Sequence, residues 1–224
     1  MRVSVPMVPL RWATSALGAL LLPILTVAPA LGQVPCTTPA TERPTGVGCY
    51  FTAAESLGVV PSHPLFWHLY TYPSRAAAER GQQSRGIVVE VFDKVWLYAI
   101  APAEWRPSAG ARVAVIGPLP TTAGTPYVAR YMEAVFLPGM RTRVHRHSGP
   151  EAWYVLTGAQ CLETPEGIIL ARAGESAVVR TGPPMVLSTV GQETRRAVLL
   201  VLHDASQPWT AMEEAWKPRG ACPP

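Results

Sequence analysis

The chain has 224 residues, 24 of them proline, and a formal net charge of +4 at pH 7. Proline lacks the backbone amide that a helix interior requires, so this content argues against a mainly helical protein. Without Arg2 and Arg11, which lie in a segment expected to be removed, Lys and Arg fall from 19 to 17 against 15 Asp and Glu, leaving +2. This small charge, with no basic run interleaved with aromatics, argues against a nucleic-acid partner.

The first 30 residues are predicted to form a signal peptide. Two arginines accompany an uncharged apolar run over residues 13–27, and the small residues Ala28 and Ala30 stand at the −3 and −1 positions of a cleavage site. Cleavage after Ala30 or shortly beyond gives a secreted or periplasmic protein with no stable membrane span. The alternative is a membrane anchor, although the run is short for a span and Pro23 interrupts it.

All four cysteines lie beyond this segment, at Cys36, Cys49, Cys161 and Cys222. An even number of cysteines in an exported chain indicates two disulfides. The favoured pairing joins Cys36 to Cys49, closing a short proline-rich loop, and Cys161 to Cys222, fastening the C-terminal tail. The other two pairings, and free buried thiols, remain open.

Residues 31–120 are predicted to form a mixed, β-rich N-terminal extension or small domain. Its lead-in, 31–50, is rich in Pro, Thr and Gly and is expected to lack regular structure. The predicted elements are strands at 64–72 and 111–117, a helix at 75–82 capped by Ser74, and a hairpin over 86–101 turning at Asp93-Lys94. Whether 51–120 is a separate domain or adds strands to the second half stays open. His63 and His68 are expected to have packing or surface roles.

Residues 121–206 are predicted to form an all-β domain, either a sandwich or a barrel. Turn-forming residues separate most of its short candidate strands, a spacing typical of a sandwich or barrel. The candidate strands are 127–137, 141–147, 151–157, 168–171, 176–180, 185–190 and 196–203. Residues 207–224 are expected to be a C-terminal tail with one short helix near 209–216.

A metal-ligand cluster is predicted at His145, His147 and Glu151. Side chains alternate along a strand, so the two histidines share a face, and Ser148-Gly149-Pro150 turns the chain so that Glu151 opens the neighbouring strand. Two imidazoles and a carboxylate suit iron(II), manganese, nickel or zinc. The alternative is an exposed polar strand with an unrelated glutamate.

Two glycines flank this cluster at informative distances. Gly139, five residues, His145-x-His147, three residues, Glu151, six residues and Gly158 together resemble the first signature motif of the cupin superfamily. The resemblance implies an antiparallel jelly-roll barrel of six to eight strands, with the family's metal ligands at the two histidines and the glutamate. By analogy alone it also suggests a homodimer.

The second cupin motif is degraded in this chain. Aligned on Gly174 and Gly182, it has Arg180 where the motif has proline and Thr189 where it has asparagine. Met185 occupies the position of the fourth ligand, a histidine. A thioether is a weak ligand for these divalent metals, and the alternative is that Met185 fills apolar space. The site is therefore either a three-ligand centre or a vestigial one.

Three further residues are candidates for lining the pocket; the alternatives are solvated arginines at a strand end and a tryptophan that packs in the core. Arg141 and Arg143 share strand parity with the histidines, and Trp153 shares parity with Glu151. Arginine there favours a small polar or acidic ligand, since it recognises carboxylates with paired hydrogen bonds. Two functions stay open: metal-dependent oxygenase, isomerase or lyase chemistry, and a non-enzymatic ligand-binding or structural cupin. The sequence does not decide whether the protein is an enzyme.

Overall fold

The structure is a computed structural model, which describes Met1, residues 36–42 and residues 46–224. The predicted signal peptide lies outside the described residues, apart from Met1. No helix in the described ranges has the length and apolar character that a membrane crossing requires.

Most of the described chain is β-strand. The strands of the first half are β1 (Gly48–Val59), β2 (Leu65–Tyr72), β3 (Ile87–Val91), β4 (Lys94–Ala101) and β5 (Ala111–Leu119). Those of the second half are β6 (Pro126–Phe136), β7 (His145–His147), β8 (Glu151–Thr157), β9 (Ala159–Thr164), β10 (Gly167–Arg172), β11 (Ser176–Val179), β12 (Val186–Val190), β13 (Arg195–Asp204) and β14 (Thr210–Met212). Helix α1 spans Arg75–Gln82, and a short 3-10 helix spans Ala40–Glu42.

A five-stranded antiparallel sheet, in the order β1-β6-β13-β8-β11, forms the middle of the fold. Side chains alternate between the two faces along each strand, and apolar residues occupy both sets of positions, so both faces of the sheet are apolar. On β6, Ala129 and Tyr131 face one core, whereas Ala134 and Phe136 face the other. A sheet with two apolar faces must be covered on both sides.

The first covering layer completes the jelly roll. It consists of β10-β9-β12, and the chain before β7 extends it through hydrogen bonds from the Thr142 amide to the Leu187 carbonyl (2.8 Å) and from the Met185 amide to the His145 carbonyl (2.8 Å). Strand β14 then pairs with β7. The predicted fold class, mostly β with an antiparallel cupin-type jelly roll, is confirmed.

The second covering layer comes from the N-terminal half. Its sheet, in the order β3-β4-β2-β5, packs against the other face of the five-stranded sheet through Trp67, Trp96 and Tyr98. Helix α1 packs Ala78 onto the far face of this layer, and the Ala77 amide donates to Ser74 Oγ at 3.2 Å, as the predicted cap requires. Residues 51–120 therefore supply this layer and most of β1.

Two sequence expectations were wrong, one of them only in part. The described part of the lead-in 31–50 is irregular up to Val47, as expected, apart from the 3-10 helix, but residues 48–50 already belong to β1, which pairs with β6. The helix expected near 209–216 is replaced by β14, because the backbone of Thr210–Met212 pairs with β7 instead of with itself. Strand β9 was also missed.

Both favoured disulfides are present, so all four cysteines are paired. Their Cα–Cα distances are 4.7 Å for Cys36–Cys49 and 5.7 Å for Cys161–Cys222. The buried Glu163 carboxylate also holds the tail, since it accepts hydrogen bonds from three consecutive backbone amides, those of Arg219, Gly220 and Ala221. The tail is thus fastened to the jelly roll at the neighbouring positions Cys161 and Glu163.

Removing the Cys161–Cys222 disulfide is expected to lower the free energy of unfolding by about 2–4 kcal/mol, because a cross-link restricts the unfolded chain. The double variant Cys161→Ala/Cys222→Ala removes a cross-link between residues that are 61 positions apart in the sequence. The matched control, Cys36→Ala/Cys49→Ala, removes a cross-link between residues 13 positions apart, and its loss of unfolding free energy should be about 1 kcal/mol smaller. Urea unfolding measures both, and a smaller loss for the long-range pair would contradict the expectation.

Candidate metal site

The three predicted ligands lie on two strands joined by a tight turn. His145 is the first and His147 the last residue of β7, and Glu151 begins β8. Between them the backbone of Gly149 packs so closely on β13 that a Cβ there would collide with the Leu202 carbonyl. Only glycine therefore allows the turn that brings the carboxylate back beside the imidazoles.

The three side chains converge on one spot. The candidate ligand atoms of His145, His147 and Glu151 all lie within 4.8 Å of one another. His147 Nε2 is 3.7 Å from Glu151 Oε2, and the two imidazole rings are 4.9 Å apart between centroids, at 75° to each other. The prediction that these residues meet agrees with this geometry, and the alternative of an unrelated glutamate does not.

Backbone carbonyls orient both imidazoles. His145 Nδ1 is 2.8 Å from the Arg143 carbonyl oxygen, and His147 Nδ1 is 2.9 Å from that of Trp209. A carbonyl only accepts, so each Nδ1 carries the proton and each Nε2 keeps its lone pair. This is the arrangement in which metal-binding histidines are usually held.

Burial sets the protonation of the cluster. It lowers the pKa of His145, and it lowers that of His147 to about 3, with the nearby His145 adding to the effect. It raises the pKa of Glu151 to about 7, while the charge of Arg195 acts in the opposite direction. Both imidazoles are therefore neutral at pH 7, the form that binds a metal. The donor set and its orientation fit a divalent cation.

The cluster opens into a cavity of about 240 Å³ inside the jelly roll. Its walls are largely apolar, and its lining includes the exposed side chains of Arg143 and Met212, so the cavity reaches the surface at that end. The lining residues are Cys36, Cys49, Met132, Ala134, Phe136, Thr142, Arg143, His145, His147, Glu151, Leu187, Arg195, Leu199, Trp209, Thr210 and Met212.

The other pocket candidates are only partly brought to the cavity. Arg143 lines the cavity. Arg141 lies at a separate surface cleft, and its backbone forms an antiparallel β-bridge with Ser188. The parity argument fails for Arg141 because the chain is not a regular strand before β7. Trp153 faces the same core as expected from its parity with Glu151, but it is fully buried and does not line the cavity.

Met185 lies directly across from His145. Their backbones exchange two hydrogen bonds, of 2.8 and 3.1 Å, so the two residues form an antiparallel pair whose side chains share a face. The Met185 side chain is fully buried in the apolar core of the jelly roll. The structure therefore puts Met185 beside the cluster, and its role as ligand or filler remains a proposal.

Two residues of the site were not expected from the sequence. Trp209 stacks on the His147 ring, with centroids 5.5 Å apart and planes at 18°. Nothing in the local sequence connects the tail with the cluster 62 residues earlier. Arg195 was missed because the predicted strand began one residue later, at position 196. Arg195 and Leu199 are four residues apart and therefore lie on the same face of the strand, which could have indicated that Arg195 points into the cavity.

No protein-family profile matches the sequence, and no curated protein matches it significantly. Among solved structures, an oxalate oxidase in complex with the substrate analogue glycolate is 19% identical, with a TM-score of 0.33 over 38% of this chain and 45% of that one. A cupin-like protein from Thermotoga maritima is 15% identical, with a TM-score of 0.35 over 38% and 64%. A cupin domain from Bordetella pertussis is 24% identical, with a TM-score of 0.29 over 38% and 88%.

The strand order and pairing make this chain an antiparallel jelly roll, the fold that the resemblance to the first cupin motif implies. The chain spans less than half the length of the oxalate oxidase structure that it matches. Those similarities carry no information about its ligand, which has to be argued from the cavity itself.

Replacing Met185 with histidine is expected to raise affinity for a divalent metal at least tenfold, because it adds a nitrogen donor across from His145. A tenfold change in affinity corresponds to about 1.4 kcal/mol of binding free energy, a modest contribution for one added nitrogen ligand. His145→Ala should lower affinity by a similar factor or more, since it removes one of three ligands. Titration of chelator-treated protein with Mn(II) or Zn(II) measures both changes.

The matched control is His63→Ala, which removes an exposed imidazole outside the cavity and should leave affinity unchanged. If Met185→His has no effect while His145→Ala abolishes binding, the placement of Met185 is wrong. If neither substitution matters, residues 139–158 are a structural remnant.

Proposed function

We propose that this protein is an exported cupin-fold protein that binds a divalent metal ion at His145, His147 and Glu151 and a small polar or acidic molecule in the adjoining cavity. The proposal includes metal-dependent chemistry of the oxygenase, isomerase or lyase type on that molecule. The metal is iron, manganese, nickel or zinc, the ions that suit two imidazoles and a carboxylate.

One observation carries the proposal. A buried imidazole, a partly buried imidazole and a buried carboxylate lie within 4.8 Å of one another at the wall of a cavity, and both imidazoles are neutral. An ordinary core does not gather three such groups, because burying polar side chains without partners costs free energy. A cation satisfies all three at once.

The chain's own residues would prepare the site for such chemistry. A bound divalent ion would act there as a Lewis acid or as an oxygen-binding centre. The Arg143 and Trp209 carbonyls fix the imidazole orientation, and Trp209 covers one face of the His147 ring. The largely apolar walls provide a surrounding of low polarity, which strengthens electrostatic interactions inside the cavity.

A second candidate function is non-enzymatic ligand binding. The observation that favours it is Met185, which stands across from His145 where cupins have their fourth ligand. A thioether there binds these metals weakly, so the cluster would be vestigial and the cavity alone would bind the molecule.

Export is supported by the cysteines. Both disulfides, Cys36–Cys49 and Cys161–Cys222, are of the kind that persists in oxidising compartments and is rare in the cytosol. The proposed location is the periplasm or the extracellular medium.

Metal analysis of the exported protein tests the proposal. We expect the full sequence, expressed in a bacterium, to yield processed protein in the periplasm or medium that carries stoichiometric divalent metal. The His147→Ala variant, which removes one ligand, should carry much less. Wild-type protein without metal, even after reconstitution with each of the four ions, would overturn the metal site and favour the binding function; cytoplasmic, unprocessed protein would overturn export.

A further inference from the structure

The cavity contains a buried arginine whose terminal N–H groups have no hydrogen-bond partner within the described structure. Arg195 begins β13 and is the only arginine or lysine among the described residues that is buried, with no exposed surface. Its side chain points into the jelly roll and lines the same cavity as the metal-ligand cluster. The next residue, Arg196, is exposed on the opposite face of the strand.

The guanidinium has few partners. Its Nε donates to Gln160 Oε1 at 2.5 Å, and its plane lies near the Phe136 ring, 5.3 Å from the centroid. Nη1 and Nη2 are buried and make no hydrogen bond within the described structure. Burial lowers the pKa of Arg195 to about 9, with the charge of Glu151 acting in the opposite direction, so the group is still charged at pH 7. Buried N–H donors without acceptors are costly unless a ligand supplies the acceptors.

The cluster and the arginine are attached at different levels of the same sheet. Glu151 is paired with Val201 on β13, six residues from Arg195, so the two backbones are separated by roughly 20 Å along the strand, while the side chains approach closely enough for the charge of each to shift the pKa of the other. Apolar side chains line the cavity wall between these two levels. They are Met132, Ala134, Leu187 and Leu199.

We propose that Arg195 binds the carboxylate of a small organic acid whose short apolar chain lies along this wall and extends towards the cluster. Two adjacent N–H groups on a planar guanidinium match the two oxygens of a carboxylate. The inference rests on the proposed function, because it names the class of the molecule bound in that cavity. A bound divalent cation would add positive charge to the cavity and favour an anionic ligand further.

Binding of hexanoate to chelator-treated, otherwise intact protein tests the proposal, with hexanamide and acetate as comparison ligands. Calorimetry should show that wild-type protein binds hexanoate at least tenfold more tightly than hexanamide, which has the same chain without the charge. It should also bind hexanoate at least tenfold more tightly than acetate, because acetate leaves the apolar wall uncovered. Arg195→Met should remove the preference for hexanoate over hexanamide, whereas the matched control Arg196→Met should keep it.

Several results would overturn the inference: no hexanoate binding, equal binding of hexanoate and hexanamide by the wild type, tighter binding of inorganic phosphate, or an unchanged preference in Arg195→Met. The wild-type comparison decides the question even if Arg195→Met does not fold. Since metal is absent from these measurements, the outcome is separate from that of the metal site. Metal uptake without hexanoate binding defeats this inference alone, and hexanoate binding without metal uptake defeats the proposed metal function alone.

Discussion

The hydrogen bonds from the two imidazoles to backbone carbonyls are the constraint on which the site depends. Each fixes a proton on Nδ1 and thereby leaves Nε2 of His145 and of His147 as a lone-pair donor beside Glu151. Without them a buried imidazole is free to rotate or to adopt the other tautomer, and the three groups no longer present donors to one point. The rest of the fold supplies the two carbonyls.

One of those carbonyls comes from the C-terminal tail. Trp209 precedes β14, whose pairing with β7 brings its carbonyl to His147 and its indole onto the ring. The Cys161–Cys222 disulfide and the Glu163 carboxylate hold the far end of the tail on the jelly roll. The site is therefore assembled from two distant parts of the chain. An oxidising compartment, which preserves the disulfide, also keeps the tail in place beside the site.

Local patterns predicted much of the fold and the cluster. Alternation, turn residues and the glycine spacing of the first motif place His145, His147 and Glu151 correctly, because strand parity and a tight turn are local properties. The parity argument failed for Arg141, where the chain departs from regular strand geometry, and for the tail, where edge pairing overrode local helix preference. The partnership of Trp209 with His147 spans 62 residues and leaves no local pattern to detect.

Nitrogen-15 NMR of the imidazoles tests the central claim most directly. In metal-free protein at pH 7, long-range proton–nitrogen correlations should show both His145 and His147 neutral, with the proton on Nδ1, and zinc should shift both Nε2 resonances. The exposed imidazole of His63 serves as an internal reference that zinc should leave in place. A proton on Nε2 of either ligand, or Nε2 resonances that zinc does not move, would contradict the account.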